Sequence, residues 1–173
     1  QANTSRIALN ASMMKDSNTN LLFGDDFLFL TRNTEQETAE LVCSEYLKEI
    51  AEHGIERVQI LSPFKSRGDA CVKNLNDRIR ESVNPHDYTK PELKYGSRVF
   101  RLGDRGLQTK NMDDISNGDV GFVKSVYIGE DNDSSITVSF GDGRSHEYST
   151  EELDMLELAY AMTIHKSQGL TFD

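Results

Sequence analysis

Apolar and polar positions along the chain change their rhythm several times. Residues 7–9 and 27–30 are short apolar runs bounded by polar residues, a pattern that predicts two buried strands. From residue 34 the spacing turns helical. Thr34 and Glu37 form a Thr-x-x-Glu capping box, and Ala39, Val42, Cys43, Tyr46 and Ile50 follow on one face. Gly54 supplies a left-handed stop. Residues 58–61 then read as a strand, and residues 70–82 as a second helix with Val72, Leu75, Ile79 and Val83 on one side, ended by Pro85. Strand, amphipathic helix and strand in close succession predict a parallel sheet with a right-handed crossover.

After Pro91 the rhythm becomes that of short strands. Residues 97–102, 120–128, 136–140 and 145–148 are strand-like, and Asn117-Gly118 and Asp142-Gly143 are hairpin signals because such turns need positive φ. This pattern predicts a small barrel. Residues 158–168 read as a helix ended by Gly169, and Leu170-Thr-Phe as the start of another strand. The expected architecture is α/β, interrupted by a β-barrel insertion.

Composition narrows the function. The 173 residues carry 19 Lys and Arg against 29 Asp and Glu, a net charge of −10, which argues against a freestanding non-specific DNA binder. A local nucleic-acid site is compatible with it. Much of the acid lies on one helix, at Glu35, Glu37, Glu40, Glu45, Glu49 and Glu52, as a solvated outer face. No apolar run approaches a membrane span and no signal peptide is recognisable, so a cytoplasmic setting is expected. Cys43 and Cys71 stand apart from any Cys/His cluster, which predicts reduced thiols and no zinc site. The chain opens on Gln-Ala-Asn-Thr and stops at Asp173, where an extended segment begins, so it reads as a piece of something larger.

Most catalytic signatures are missing from the 173 residues. No Gly-x-x-x-x-Gly-Lys-Ser/Thr loop, Gly-x-Ser-x-Gly elbow or His-Glu-x-x-His helix occurs. Gly103-Asp-Arg-Gly106 is too short for a phosphate loop and reads as a turn. Glu92-Leu-Lys94, with Asp87 nearby, superficially matches half of a metal-dependent nuclease site, but a plain polar linker accounts for it.

One segment stands out: Ala159-Tyr-Ala-Met-Thr-Ile-His-Lys-Ser-Gln-Gly169. Its Thr163, His165, Lys166, Ser167 and Gln168 are hydrogen-bonding side chains gathered at a predicted helix end. On local physics alone, His165 and Lys166 would suit a solvated helix C-terminus with Gly169 as its cap. Ser62 and Pro63 end a predicted parallel strand, at the edge where open α/β sheets place ligands; Lys65 and Arg67 follow at the same edge. Arg98, Arg101, Arg105 and Lys110 form a basic group early in the barrel.

Thr163-Ile-His-Lys-Ser-Gln-Gly169 resembles motif V of superfamily 1 helicases of the RecD and Pif type, and other segments agree with it in order. Ile7-Ala-Leu-Asn-Ala-Ser-Met-Met14 resembles the strand opening their second RecA-like domain. Gln59-Ile-Leu-Ser-Pro-Phe-Lys-Ser-Arg-Gly68 resembles the segment that follows, and Asn74-Leu-Asn76 and Asn84-Pro85 the next helix. Tyr95-Gly-Ser-Arg-Val99 and Asn117-Gly-Asp-Val-Gly121 resemble a barrel of the Src-homology-3 kind inserted in that domain. Phe64-Lys-Ser-Arg67 is spaced differently from RecD-like relatives, which leaves open whether Lys65 or Arg67 takes the basic role. The ending Leu170-Thr-Phe-Asp173 is closer to Pif-type relatives.

The resemblance implies a second RecA-like motor domain, of the P-loop NTPase type, over residues 1–92 and 156–173, with the barrel inserted at 93–155. It implies part of an ATP-dependent 5′-to-3′ DNA helicase, related to the exodeoxyribonuclease V alpha subunit and acting in DNA repair or recombination. In that family a first RecA-like domain holds ATP and Mg²⁺ on its phosphate loop. The fragment would grip single-stranded DNA and complete the ATP site, but be inactive alone, with no catalytic residue or metal of its own. DNA-binding roles fall on Thr163, His165, Lys166, Ser167, Ser62, Pro63, Lys65 and Arg67, and the ATP interface on Gln168 and Gly169. Arg98, Arg101, Arg105 and Lys110 are possible barrel contacts to DNA. The implied partners are single-stranded DNA, the first RecA-like domain and RecB/RecC-like subunits, with no membrane. The alternative is an acidic, non-enzymatic interaction module that uses the barrel as a docking surface.

Overall fold

The computed structural model describes residues 5–130, 133–141 and 143–168, in two compact units divided between Asn33 and Thr34. The first unit holds one helix, α1 (Arg6–Lys15). Ser5 caps it by accepting from the Ile7 amide at 3.2 Å, and Asp26 accepts from the Arg6 amide and guanidinium at 2.8 and 2.7 Å. The buried Asn10 side chain exchanges two hydrogen bonds with the Leu22 backbone, at 2.7 and 2.8 Å.

This unit corrects two expectations. The strand predicted at 7–9 lies inside α1, because Ala8, Leu9, Ala11, Met13 and Met14 are good helix formers behind a serine cap. Residues 27–30 form no strand beyond an isolated bridge between Gly24 and Phe27. Leu28, Phe29 and Leu30 are exposed, and a run without a ladder partner leaves its backbone to water.

The second unit opens with α2 (Glu35–His53), whose boundaries follow the predicted signals. The Thr34 hydroxyl accepts from the Glu37 amide at 3.1 Å, and Gly54 ends the helix at φ 88°. The short strand β1 (Ile60–Ser62) leads to α3 (Val72–Val83). Ala39 and Tyr46 of α2 pack with Leu75 and Ile79 of α3, Ile60 of β1, and Tyr160 and Ala161 to make one core.

A β region follows. Strands β2 (Glu92–Tyr95) and β3 (Arg98–Arg101) form an antiparallel pair. Then come β4 (Arg105–Gln108), β5 (Val120–Tyr127), β6 (Ser135–Phe140), β7 (Ser145–Ser149), a short helical turn (Leu153–Met155) and β8 (Leu156–Leu158). The last five strands form one antiparallel sheet in the order β7-β6-β5-β4-β8. Alternate residues Ile136, Val138 and Phe140 of β6 point inward with Phe100, Val123, Tyr148 and Leu156, a second core distinct from the first. Gly121 lies so close to its neighbour that a Cβ there would meet the Ser139 carbonyl oxygen at 2.5 Å. Gly118, at φ 104°, turns the chain into β5 at the end of a long loop rather than in a two-residue hairpin. Gly143 has φ 84°, while Asp142 lies outside the described residues.

The helix predicted over 158–168 is also corrected. The chain completes β8, forms β9 (Ala161–Thr163), and only then makes a single helical turn, α4 (Ile164–Ser167). The apolar stretch suits a strand because both faces of β9 are covered: Ala159, Tyr160, Ala161 and Met162 are all buried. Strand β9 pairs in parallel with β1, Ile60 opposite Ala161 and Ser62 opposite Thr163. These two strands are the only parallel pair among the described residues, so a full RecA-like sheet is not displayed. The strand predicted from residue 170 lies outside the described residues.

Candidate nucleic-acid interface

Parallel pairing of β1 and β9 carries two distant segments to one sheet edge. Past β1 come Pro63, Phe64, Lys65 and Arg67; past β9 come Ile164, His165, Lys166, Ser167 and Gln168. Asn76 of α3 fixes β9 from the side. Its amide donates to the Ala161 carbonyl at 3.0 Å, and its oxygen accepts from the Ala161 amide at 2.8 Å. A buried side chain thus substitutes for a neighbouring strand.

Thr163 caps the α4 turn, its hydroxyl accepting from the Lys166 amide at 3.4 Å. His165 and Gln168 are exposed. The Ser167 hydroxyl donates to the Ile164 carbonyl at 2.8 Å. Gly169 lies outside the described residues.

Across the edge, Ser62 is buried, and its hydroxyl donates to the Ala70 carbonyl at 2.8 Å, so it shapes the loop from within instead of facing a ligand. Pro63 is exposed beside it. Arg67 is exposed, its guanidinium 6.0 Å from the centre of the Phe64 ring. Lys65 reaches the Glu157 carboxylate at 2.8 Å, and Lys166 reaches the other oxygen of the same carboxylate at 2.9 Å. Burial raises the Glu157 pKa, but the hydrogen bonds and charges of these two lysines outweigh it and hold the group below the ordinary glutamate range.

Glu157 belongs to β8, where it pairs with Leu107 of β4. Sequence reasoning missed it, because one glutamate in an acidic chain carries no local signal. A groove of about 640 Å³ runs from this cluster between α3 and β3. Lys65, Lys73, Arg80, Arg98, Asp154 and Glu157 are among its lining residues.

The basic group predicted on the barrel divides, in a β region whose strands form a hairpin and one five-stranded sheet. Arg98 is one-third exposed, donating to Asp154 and to the Leu156 carbonyl, each at 2.8 Å. Lys110 is exposed. Arg101 and Arg105 do not belong with them: both are buried. Arg101 bonds Glu92 at 2.8 Å, Glu81 at 2.7 Å and the Asn84 carbonyl at 3.1 Å, and Arg105 donates to the Val58 carbonyl at 2.9 Å. The Arg101 guanidinium is a cross-brace with no free fork to offer a phosphate, and burial keeps that of Arg105 from one. Burial also lowers the Arg105 pKa. Glu92 is one of the Arg101 partners and also meets His86 at 3.1 Å, so Glu92-Leu-Lys94 is part of the scaffold. Gly103, at φ 89°, forms the predicted turn between β3 and β4.

Residues 75–140 match the family described as the SH3 domain of ATP-dependent RecD-like DNA helicases. Over these residues the chain is similar to RecD-like DNA helicases, in agreement with its motifs. It is 32% identical over 114 residues to the ATP-dependent RecD2 DNA helicase of Deinococcus radiodurans. That match takes in 65% of this chain and only 14% of the relative's length. Among the described residues no helix is long and apolar enough to cross a membrane.

Proposed function

We propose that the chain grips single-stranded DNA as part of the second motor domain of an ATP-dependent 5′-to-3′ DNA helicase, a cytoplasmic protein acting in repair or recombination. The observation that carries this reading is the β1–β9 pairing, which brings Lys65 to the Thr163–Gln168 segment at the C-terminal edge of a parallel pair, with Arg67 further along the same loop. A translocating motor must hold the backbone whatever the base sequence, so it needs cations and neutral donors aimed at phosphates. His165, Lys166, Lys65 and Arg67 are such a set, with Arg98 and Lys110 further along on the barrel. Thr163 and Ser167 act mainly by shaping the turn that presents them. The division into a motor part, 1–92 with 156–173, and an inserted barrel, 93–155, belongs to the same proposal.

The described residues do not fit a nucleotide by themselves. The chain has no glycine-rich phosphate loop, and Gln168 is exposed at the end of a single helical turn. ATP and Mg²⁺ are therefore assigned to a first RecA-like domain, with RecB/RecC-like subunits as further partners. This chain is expected to hydrolyse no ATP alone.

The test is fluorescence anisotropy of the chain with labelled oligo-dT at low salt. The expected result is weak, salt-sensitive binding that His165→Ala and Lys166→Ala each reduce about threefold or more, as loss of a phosphate contact should. Binding that neither substitution changes, or no binding at any salt, would overturn the reading.

A further inference from the structure

Several cations in and beside this groove come with their own anions, Lys73 excepted. Lys65 and Lys166 converge on Glu157 at 2.8 and 2.9 Å, Arg98 is paired with Asp154 at 2.8 Å, and Arg80 with Asp77 at 3.6 Å. The Glu157 arrangement differs from an ordinary surface pair. Its two oxygens are divided between two ammonium groups, one from the loop after β1 and one from α4. A phosphodiester offers the same thing: two non-bridging oxygens on one centre that share a single negative charge. The Glu157 side chain is 26% exposed, so the position it fills opens to solvent and to the groove. Its backbone is held in the β4–β8 ladder, whereas its side chain can rotate away without breaking that pairing.

We infer that Lys65 and Lys166 form a single seat for a phosphodiester group, and that Glu157 fills this seat with its own carboxylate when no nucleic acid is bound. The inference rests on the DNA-gripping reading above and adds how that grip is set. Entry of a backbone phosphate swings Glu157 out; release of the phosphate lets it return. The exchange keeps two lysines from lying unpaired in an acidic protein, and it weakens the grip enough for a phosphate to leave again. A motor that steps along a backbone needs that reversibility.

The experiment compares the wild-type chain with Glu157→Gln, with Glu157→Asp, and with Glu151→Gln, an exposed site where the same charge is removed away from both lysines. Far-UV circular dichroism first establishes that each variant is folded. Removing a carboxylate that competes through two ion pairs should tighten oligo-dT binding about tenfold. Glu157→Asp, whose shorter side chain holds the lysines less well, should fall between, and Glu151→Gln should stay within about twofold of wild type as a surface charge change. A second arm follows the backbone amide of Lys166 by NMR during titration with inorganic phosphate, which Glu157→Gln should bind at lower concentration than wild type. If oligo-dT binds and Lys166→Ala weakens it, yet Glu157→Gln tightens it no more than Glu151→Gln, the seat is overturned and the DNA-gripping reading stands. If no variant binds oligo-dT, the DNA-gripping reading fails. The phosphate titration then decides the seat alone: an equal response in wild type and Glu157→Gln overturns it.

Discussion

The Tyr160 hydroxyl donates to the Asp104 carboxylate at 3.0 Å, with both side chains buried. This bond joins the turn between β3 and β4 to the residue just ahead of β9. Asp104 also accepts from the Arg101 amide and the Asn84 side chain, each at 2.8 Å, so one carboxylate gathers the barrel, the end of α3 and the approach to the candidate DNA edge. Burial raises the pKa of Asp104, and these donors only partly offset it.

Tyr160→Phe tests that link. It removes the hydroxyl with little change in shape and takes one donor from a buried carboxylate, so unfolding in urea should show a loss of about 1–3 kcal/mol. An unchanged midpoint would mean that the bond contributes nothing to the fold.

Asn76→Ala is a sharper probe of the edge itself. It strips the Ala161 backbone of both its bonds to the side chain and the Leu158 carbonyl of a third, at a cost of about 2–4 kcal/mol. The local signature is hydrogen exchange: the Ala161 amide should lose protection ahead of amides in β5 and β6. If it exchanges as slowly as in wild type, Asn76 is not what holds β9.

Legibility in the sequence followed how local each signal was. Helix α2 was readable because Thr34, Glu37 and Gly54 mark its ends within one turn and its apolar period needs no partner. Strands β5 and β6 alternate clearly enough to be placed within a residue or so. The segment around residue 160 was not readable, since a short, fully buried apolar run suits helix and strand equally until β1 is known to lie beside it. Strands β2, β4 and β8 were missed for the same reason: each is short and defined by its neighbours. Arg101 and Arg105 look like surface cations in the sequence because arginine usually is one, and nothing local shows that carboxylates hold the first and a carbonyl the second. At the candidate site, the motif residues were legible by their types and order. The role of Glu157 was not, because it exists only where Lys65 and Lys166 meet.

Acid should destabilise the second unit through its paired glutamates. Hydrogen bonds from Arg101 and then His86 lower the Glu92 pKa, the Ser149 backbone amide lowers that of Glu152, and the two lysines lower that of Glu157 despite its burial. A carboxylate with a depressed folded pKa stabilises the fold above its unfolded value, and that contribution is lost as pH falls through the folded pKa. The thermal midpoint should therefore hold above pH 4.5, the ordinary glutamate value, and drop below it. Asp104, raised, has the opposite sign but is a single group. Glu92→Gln should flatten part of the drop, and a midpoint that rises on acidification would contradict the assignment.

The two faces of the barrel's basic group make opposite predictions for Arg98 and Arg101. Arg101 is held by Glu81, Glu92 and the Asn84 carbonyl, so Arg101→Ala leaves a cavity, two carboxylates short of one partner and a buried carbonyl without this donor. That should cost about 2–3 kcal/mol of stability, for the lost packing and the unsatisfied carbonyl, since both carboxylates keep access to water. Oligo-dT affinity of the molecules that remain folded should not change, because Arg101 has no surface to present. Arg98 pairs with the exposed Asp154 and donates to the Leu156 carbonyl, so Arg98→Ala should cost about 1 kcal/mol of stability. It should weaken oligo-dT binding and lower the slope of log affinity against log salt by about one, the effect of losing one phosphate contact. Urea unfolding and a salt series by anisotropy measure both quantities on the same samples. Loss of affinity in folded Arg101→Ala, with none in Arg98→Ala, would reverse the assignment of inside and outside on this barrel.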